Sequence, residues 1–252
     1  MTFTTTISGW GNYPQQEAQL LTPSSCAALH AVIKREGSVI ARGMGRSYGD
    51  SANAPKVLQT SHCDHFVEFD EKTGRLTAEA GIILREILKV IVHRGWFLPV
   101  TPGTSYVTFG GAIASDVHGK NHHISGTFGQ HVKSIRMVLG TGEVVTTSED
   151  ENPDLFHATC GGMGLTGVII SATIQLLPIL SSLINQKTIK ADCIEAACEA
   201  FEDNSSTTYS VAWIDCLAKG KSLGRSVLML GEHAESGGFK IDIKDPVSIP
   251  FN

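Results

Sequence analysis

The chain has 252 residues, of which 42% are hydrophobic and 18% are charged, an ordinary composition for a globular enzyme. Its net charge of -5 excludes a general electrostatic attraction to nucleic acid or to an anionic membrane surface. Six cysteines without a CxxC pair indicate reduced thiols, and neither a signal peptide nor a transmembrane segment is predicted. We therefore expect a cytoplasmic protein, with association to a membrane surface left open.

The first third of the chain alternates helix and strand signals. The triplet Pro23-Ser24-Ser25 precedes an apolar-periodic run through Leu29 and Ile33, which predicts a helix with a serine cap. The short run 38–41 predicts a strand that leads directly into a glycine-rich loop. The later periodicities predict, in chain order, a hairpin of 67–69 with 75–78, a helix over 83–93 stopped by Gly95, an extended stretch 97–100 and a hairpin of 134–139 with 143–147. They then predict a helix begun by Asn152-Pro153, followed by strands at 168–177 and 183–189. The last predicted elements are a helix capped by Asp192, with Ile194, Ala197, Cys198 and Phe201 inward, and a strand 209–214.

Between residues 101 and 129 the sequence is rich in glycine and shows little regular periodicity. Loops of this length inside compact domains are usually functional or mobile, so we expect this segment to contribute to a site. The character of the sequence changes again after Ser181, and we place a domain boundary near residues 178–185.

The loop 41–50, ARGMGRSYGD, offers successive backbone N–H groups that no bulky side chain obstructs. Such a nest binds phosphate oxygens, and Arg46 and Ser47 add a cation and a hydroxyl donor. Tyr48 occupies the third glycine position of the dinucleotide fingerprint and no helix pattern follows, so the loop is not a Rossmann site. By itself it is as consistent with a tight turn as with a phosphate site.

A second glycine-rich segment, Gly162–Gly167, matches the pattern GxGxxG letter for letter. A strand is predicted after it, so no helix N-terminus is available there to hold a pyrophosphate. We interpret its glycines as places where the backbone passes close to a bound ring.

The segment 102–123, PGTSYVTFGGAIASDVHGKNHH, favours the phosphate site. It resembles the second flavin-binding segment of the vanillyl-alcohol-oxidase/PCMH flavoprotein family. Together with ARGMGRSYGD and GGMGLTG it is similar in particular to the decaprenylphosphoryl-ribose oxidase branch of that family. The resemblance implies an α+β fold, with a two-subdomain PCMH-type FAD-binding domain over residues 1–180 and a partial substrate domain over residues 181–252.

The resemblance also implies which residues hold FAD and substrate. The cofactor contacts implied are Ala41, Arg42, Gly43, Met44, Gly45, Arg46, Ser47, Tyr48, Gly49, Gly103, Thr108, Phe109, Gly110, Gly111, Ser115, Asp116, Val117, His118 and Ile169. His118 is expected beside the flavin ring, facing the substrate, as a catalytic residue together with Lys120. Trp213 is expected to border the substrate pocket.

The chemistry implied is oxidation of a secondary alcohol of a sugar or lipid-linked sugar to a ketone, with hydride passing to flavin N5 while a base takes the hydroxyl proton. The protein then supplies orientation and electrostatics, because the flavin carries the redox step. In this branch the reaction is the first half of an epimerisation, which implies a reductase as a partner. The alternatives are an alditol or aldonolactone oxidase and, from another class, a non-catalytic flavin-binding module.

Two features depart from the family pattern. Several relatives carry a histidine in the first loop that bonds covalently to the flavin, whereas this chain has Arg46, so we predict non-covalent FAD. Members of the family are also substantially longer, and their C-terminal part completes the substrate domain. We therefore expect a chain that ends at Asn252 to be a fragment, with an exposed edge in its second sheet.

Some of these side chains also have a plainer interpretation. His118 and His122 have the i, i+4 spacing of a zinc helix, but the sequence HGKNH lacks the glutamate of HExxH and its glycine and asparagine disfavour a helix, so we predict no metal site. Trp213 is more often a core residue by type. Cys160 has no sequence neighbour that would activate its thiol.

Overall fold

The computed structural model describes residues 2–239, which form fourteen β-strands and six α-helices, an α+β arrangement. The first half contains β1 (Thr2–Ile7), β2 (Gln16–Leu21), α1 (Cys26–Glu36), β3 (Ile40–Arg42), β4 (Lys56–Gln59), β5 (Phe66–Asp70), β6 (Arg75–Glu79), α2 (Leu84–Ile91), β7 (Trp96–Phe97), α3 (Phe109–Ala114) and α4 (His122–Ser125). The second half contains β8 (Val132–Val138), β9 (Val144–Thr147), α5 (Pro153–Thr159), β10 (Val168–Gln175), β11 (Leu177–Pro178), β12 (Ile184–Ala191), α6 (Ile194–Asp203), β13 (Tyr209–Ile214) and β14 (Ser226–His233).

The first four strands form a sheet in the order β1-β2-β4-β3, in which β3 runs parallel to β4. Helix α1 begins as predicted, because the Ser25 hydroxyl accepts a hydrogen bond from the N–H of Ala28 at 3.2 Å. Its buried face, Leu29 and Ile33, shares one core cluster with Ile170 of β10. Helix α1 therefore packs between this sheet and the next.

The second sheet is antiparallel and has the order β5-β6-β10-β8-β9. Both predicted hairpins are confirmed, as β5 pairs with β6 and β8 pairs with β9. Helices α2 and α3 join this sheet in the largest core, where Ile87 and Ile113 are fully buried. Helix α2 continues as a short 3-10 turn and ends at Gly95, whose φ of +80° is the left-handed conformation typical of a helix stop.

The segment 101–129, predicted to lack regular structure, contains the short helices α3 and α4. The prediction was wrong here because Gly110 and Gly111 lower the helix propensity of α3, while burial stabilises it. Phe109 and Ile113 are fully buried, and the Thr108 hydroxyl caps the helix by accepting from the N–H of Gly111 at 3.2 Å.

The third sheet has the order β12-β14-β13 and packs against α6. Among the strands described it pairs with none of the other sheets, which include a separate two-stranded sheet of β7 and β11, and the chain reaches it between Pro178 and Ile184. The division into domains at residues 178–185 stays a prediction. Within residues 2–239, no helix is long and apolar enough to cross a membrane.

Helix α6 differs from its prediction at two points. Its N-cap is Cys193, which makes no side-chain capping bond, in place of Asp192. Cys198 is exposed and Ile194 is 39% exposed, so only Ala197 of the predicted inward residues is buried, with Phe201 partly buried beside it. A sheet of three strands accepts only a narrow apolar stripe of the helix, which leaves the flanks of that stripe in solvent.

Candidate functional site

A cleft of about 690 Å³ opens between three segments: the loop after β3, the segment around α3, and the turn before β10. Its volume lies within the range of small-molecule sites, roughly 300–1,000 Å³. Sixteen of the predicted cofactor contacts line it: Ala41, Gly43, Met44, Gly45, Arg46, Ser47, Tyr48, Gly49, Gly103, Thr108, Gly110, Gly111, Ser115, Val117, His118 and Ile169. The fold therefore brings the two predicted glycine-rich segments together.

Part of the cleft wall was missed by sequence reasoning. Thr60, Ala80 and Pro102 line the cleft although no prediction named them, whereas Gly164 belongs to the segment whose glycines were predicted to lie close to a bound ring. A signal for Thr60 existed, since it follows β4, and the carboxyl ends of parallel neighbours such as β3 and β4 lie at the same sheet edge. Ala80 offered no comparable signal, because its place depends on the pairing of distant strands.

The two glycine-rich segments touch at Gly43 and Thr108. A Cβ atom at position 43 would lie 2.2 Å from Oγ1 of Thr108 and 2.8 Å from its Cγ2. Thr108 is only 3% exposed and is held by its capping bond, so it has no room to move away. Glycine at position 43 therefore permits the loop after β3 to lie directly on the first turn of α3.

The loop after β3 presents a run of free donors. Within residues 2–239, the backbone N–H groups of 44–49 donate no hydrogen bond. The loop is held instead through its carbonyl groups, since Gly43 O accepts from Nε2 of Gln59 at 2.9 Å and Ser47 O accepts from the N–H of Trp10 at 2.8 Å. Successive free amides are the arrangement that binds an anion such as phosphate.

The two arginines of this loop differ in their surroundings. Arg42 does not line the cleft, because its guanidinium donates to Ser8 O at 2.6 Å and to Oδ1 of Asn53 at 2.9 Å. Burial, helped by the charge of Arg46, lowers the pKa of Arg42. Arg46 lines the cleft, and its guanidinium carbon lies 5.4 Å from the ring centroid of Trp10. Arg46 thus offers a cation at the cleft, whereas Arg42 braces the loop from outside it.

Phe109 and Asp116 also lie outside the cleft lining. Phe109 is a core residue whose ring meets that of Phe128 edge-on at 6.0 Å. The carboxylate of Asp116 accepts a hydrogen bond from the N–H of Gly129 at 2.7 Å. Burial, with a contribution from Asp116, raises the pKa of the nearby Cys160 to about 11, so this thiol is neutral and poorly nucleophilic near pH 7.

His118 lines the cleft, and its ring meets that of His122 edge-on with centroids 5.3 Å apart. Within residues 2–239, the side chains whose ligand atoms approach one another closely enough for a metal ion are Asp64, His65 and Glu79, none of which lines the cleft. The carboxylate of Glu79 lies 2.9 Å from Nδ1 of His65 and raises the pKa of that imidazole. These three side chains thus form an ion-paired surface group.

The loop that carries His118 also contacts the third sheet. Lys120 is exposed and does not line the cleft, but its carbonyl oxygen accepts from the N–H of Ser210 at 2.9 Å. Nε2 of His123 lies 2.9 Å from the carbonyl oxygen of Thr207. Trp213 lies further along β13, is 63% exposed and so is not a core residue, and also stands outside the cleft lining. Of the predicted catalytic and substrate residues, His118 therefore reaches the cleft, whereas Lys120 and Trp213 do not.

The turn before β10 closes the remaining side of the cleft. The N–H of Met163 donates to Ala114 O at 2.8 Å, which docks this turn on the end of α3. Met163, Gly164 and Gly167 line the cleft, and a strand follows as predicted. The turn therefore offers backbone surface to a ligand in place of a helix N-terminus.

The cleft residues fit FAD. The free amides of 44–49 and the guanidinium of Arg46 supply donors and positive charge for a pyrophosphate. The wall formed by Ala80, Val107 and Ile169 is apolar, as a flat ring system requires. The cleft thus combines an anion-binding end with an apolar wall.

Comparisons with known proteins agree with this site. The model of the family described as FAD binding domain matches residues 16–148. A decaprenylphosphoryl-β-D-ribose oxidase of Mycolicibacterium smegmatis is 36% identical over 244 residues, which cover 93% of this chain and 53% of the relative. A D-arabinono-1,4-lactone oxidase of Yarrowia lipolytica is 26% identical over 182 residues, which cover 67% of this chain and 34% of the relative.

The chain thus spans about half the length of the first of these relatives and about a third of the second. The family match covers more than half of the chain and includes the loop after β3 and the segment around α3. The chain therefore belongs to the PCMH-type FAD-binding domain family of oxidoreductases, and its cofactor is FAD.

Proposed function

We propose that this chain is the FAD-binding part of an enzyme that oxidises a secondary alcohol of a sugar or lipid-linked sugar to a ketone. The observation that carries the proposal is the position of His118. Among the lining residues within 2–239, His118 alone carries an imidazole, and it lies beside Ser115 and Val117 just after the end of α3. An imidazole at a ligand cleft is suited to hold a hydroxyl group and to take its proton near pH 7.

The residues of the chain then divide the work. FAD, bound without a covalent link, would supply the redox chemistry by which the substrate carbon loses a hydride. Amides 44–49 and Arg46 bind its pyrophosphate. His118 orients the substrate hydroxyl and takes its proton, and the His122 ring lies edge-on beside it, with the two centroids 5.3 Å apart.

The geometry of β13 supports a substrate pocket beside the cleft. Tyr209 and Trp213 lie on one face of β13, and Ala212, which packs with α6, lies on the other. The hydroxyl of Tyr209 lies 3.1 Å from Nε2 of His233, whose ring meets that of Phe97 edge-on at 5.2 Å. The face that carries Trp213 is thus turned towards β7, which pairs with β11, and this supports a pocket bordered by Trp213.

The comparisons support a class of substrate. The relative named for decaprenylphosphoryl-ribose matches 93% of the chain, which favours a lipid-linked sugar. Lys120, exposed on the His118 loop, would bind a phosphate or hydroxyl group of such a substrate. A reductase acting on the ketone would be the partner that completes an epimerisation. The relative named for an arabinonolactone supports an aldonolactone oxidase as the second candidate.

The test is the anaerobic reduction of FAD bound to the chain, which is monitored as the loss of the visible absorbance of the flavin. We expect a lipid-linked ribose to bleach the flavin and its 2-deoxy analogue to leave it oxidised. At saturating FAD, His118→Ala should bleach about 10²–10⁴ times more slowly, the range for loss of a general base. His93→Ala, which removes an exposed imidazole outside the cleft, is the matched control and should bleach at the normal rate.

Three other outcomes of this experiment would contradict parts of the proposal. Bleaching only by aldonolactones would favour the lactone oxidase. Equal rates for His118→Ala and the unmodified chain would remove His118 from the reaction. Tight FAD binding without bleaching by any sugar or lactone would contradict catalysis by this chain and favour a flavin-binding module.

A further inference from the structure

Asp116 has a backbone conformation that an L-amino acid adopts rarely. Its φ is +41°, in the left-handed region, and only Asn12, Asn152 and Met163 share a positive φ among the non-glycine residues of 2–239. Such conformations are unfavourable without support and concentrate at functional sites. In the sequence Asp116 lies between Ser115 and Val117, both of which line the cleft, although Asp116 itself does not.

The hydrogen bonds around Asp116 form a Schellman motif at the end of α3. The N–H of Asp116 donates to Ile113 O at 2.9 Å, and the N–H of Val117 donates to Ala112 O at 3.1 Å. Asp116 occupies the C′ position of this motif, where the left-handed conformation makes glycine the usual residue. The backbone conformation alone would therefore favour glycine at position 116. An interaction of the side chain has to explain why the residue is aspartate.

The carboxylate of Asp116 links the end of α3 to a second segment. It accepts from the N–H of Gly129 at 2.7 Å, and the N–H of Phe128 donates back to Val117 O at 2.9 Å. A charged acceptor makes a shorter and stronger bond to an amide than a neutral one does. Residues 116–117 thus accept two hydrogen bonds from residues 128–129, one at the Asp116 carboxylate and one at the Val117 carbonyl oxygen.

Asp116 also lies against the turn before β10. A Cβ atom at Gly161 would lie 3.3 Å from Cβ of Asp116, and the N–H of Gly161 donates to Ile113 O at 3.1 Å. Two residues later the same turn docks on Ala114 and supplies Met163 to the cleft. Three segments therefore meet at Asp116: the end of α3, residues 128–129 and the turn before β10. The first and the last of these also form the cleft.

We infer that Asp116 is a positioning residue of the FAD site: its carboxylate, bonded to Gly129, holds the end of α3 in the left-handed turn that directs Ser115, Val117 and His118 to the cleft. The inference rests on the FAD cleft and not on the substrate or the reaction. Its side chain lies outside the cleft lining, so it acts through its neighbours.

The test compares three substitutions of Asp116 by the dissociation constant of FAD and the visible spectrum of the bound flavin. Asp116→Asn keeps an acceptor and tolerates the left-handed region, and we expect FAD binding within about twofold of the unmodified chain. Asp116→Gly improves the cap but removes the acceptor, and we expect FAD to bind about tenfold more weakly, the effect of one lost hydrogen bond to a charged group. Asp116→Ala loses both and should bind FAD more weakly still, with a shifted spectrum.

Asp116→Gly is the decisive variant, because a helix cap without any further role would tolerate glycine or improve with it. The matched control is Asn152→Gly, since Asn152 has a φ of +50°, donates one side-chain bond to Thr146 O at 2.9 Å, and lies outside the cleft. This control should leave the dissociation constant of FAD unchanged.

Unchanged FAD binding and spectrum in Asp116→Gly would overturn the inference, and so would an equal loss in Asn152→Gly. Should the glycine and alanine variants fail to fold, hydrogen exchange in the FAD-bound unmodified chain decides the question: slow exchange of the Gly129 amide supports the bond, and fast exchange overturns it. None of these measurements uses a substrate, so failure of the proposed oxidation would leave them intact, and failure here would leave that proposal intact.

Discussion

Substituting Gly43 by alanine tests the contact on which the cleft is built. The φ of Gly43 is not positive, so alanine is compatible with its backbone and the whole effect comes from the contact with Thr108. A new Cβ would lie 2.2 Å from Oγ1 and 2.8 Å from Cγ2 of a side chain that is 3% exposed. Such overpacking costs about 1–3 kcal/mol of folding free energy.

Because the clash lies between the two segments that bind FAD, we expect FAD affinity to fall as well, by about tenfold for each 1.4 kcal/mol transmitted to the site. The assay is quenching of flavin fluorescence on binding, together with thermal unfolding of the apo chain. Gly140→Ala is the matched control, since a Cβ there would meet nothing within 4 Å and position 140 lies outside the cleft.

The double variant Gly43→Ala/Thr108→Ala separates this contact from other effects. Thr108→Ala alone should destabilise the chain by about 1 kcal/mol, because it removes the cap on Gly111. In the double variant the Oγ1 and Cγ2 atoms are gone, so the two losses should sum to less than their separate values. Strict additivity, or a Gly43→Ala variant that binds FAD normally, would refute this account of the contact.

Three further outcomes are expected. Acid precipitation of the FAD-loaded chain should leave a colourless pellet and a yellow supernatant, because Arg46 forms no covalent flavin bond; a yellow pellet would contradict this. At pH 8 a thiol reagent should label the exposed Cys198 and Cys216 well before Cys160, whose pKa is raised to about 11, and equal rates would contradict the burial of Cys160. Burial lowers the pKa of His233, so the unfolded chain takes up a proton near pH 6.5 before the folded chain does; the melting temperature should fall as the pH drops below 6.5, and less so in His233→Gln.

Features fixed by local chemistry were predictable from the sequence. The serine cap of α1, the stop of α2 at Gly95 and the two hairpins depend on residues within a few positions of each other, and all are confirmed. The glycine-rich segments were recognised because free amides require an absence of side chains, which the sequence displays directly. The individual cofactor contacts were implied by the family resemblance, and sixteen of them line the cleft.

Features fixed by distant packing were not predictable. Helix α3 exists because the core buries Phe109 and Ile113, although its two glycines disfavour a helix. Ala80 reaches the cleft only through the pairing of β6 with β10. The direction of a side chain was equally hidden: Arg42 belongs to the glycine-rich loop, but it points to Ser8 outside the cleft.

A crystal structure of the chain with FAD tests the central claim most directly. We expect one FAD in the cleft, with its pyrophosphate oxygens within hydrogen-bond distance of amides 44–49 and its flavin ring against the end of α3 beside His118. Phosphates bound at Gly162–Gly167, or FAD bound outside the cleft, would contradict the assignment of the loop after β3.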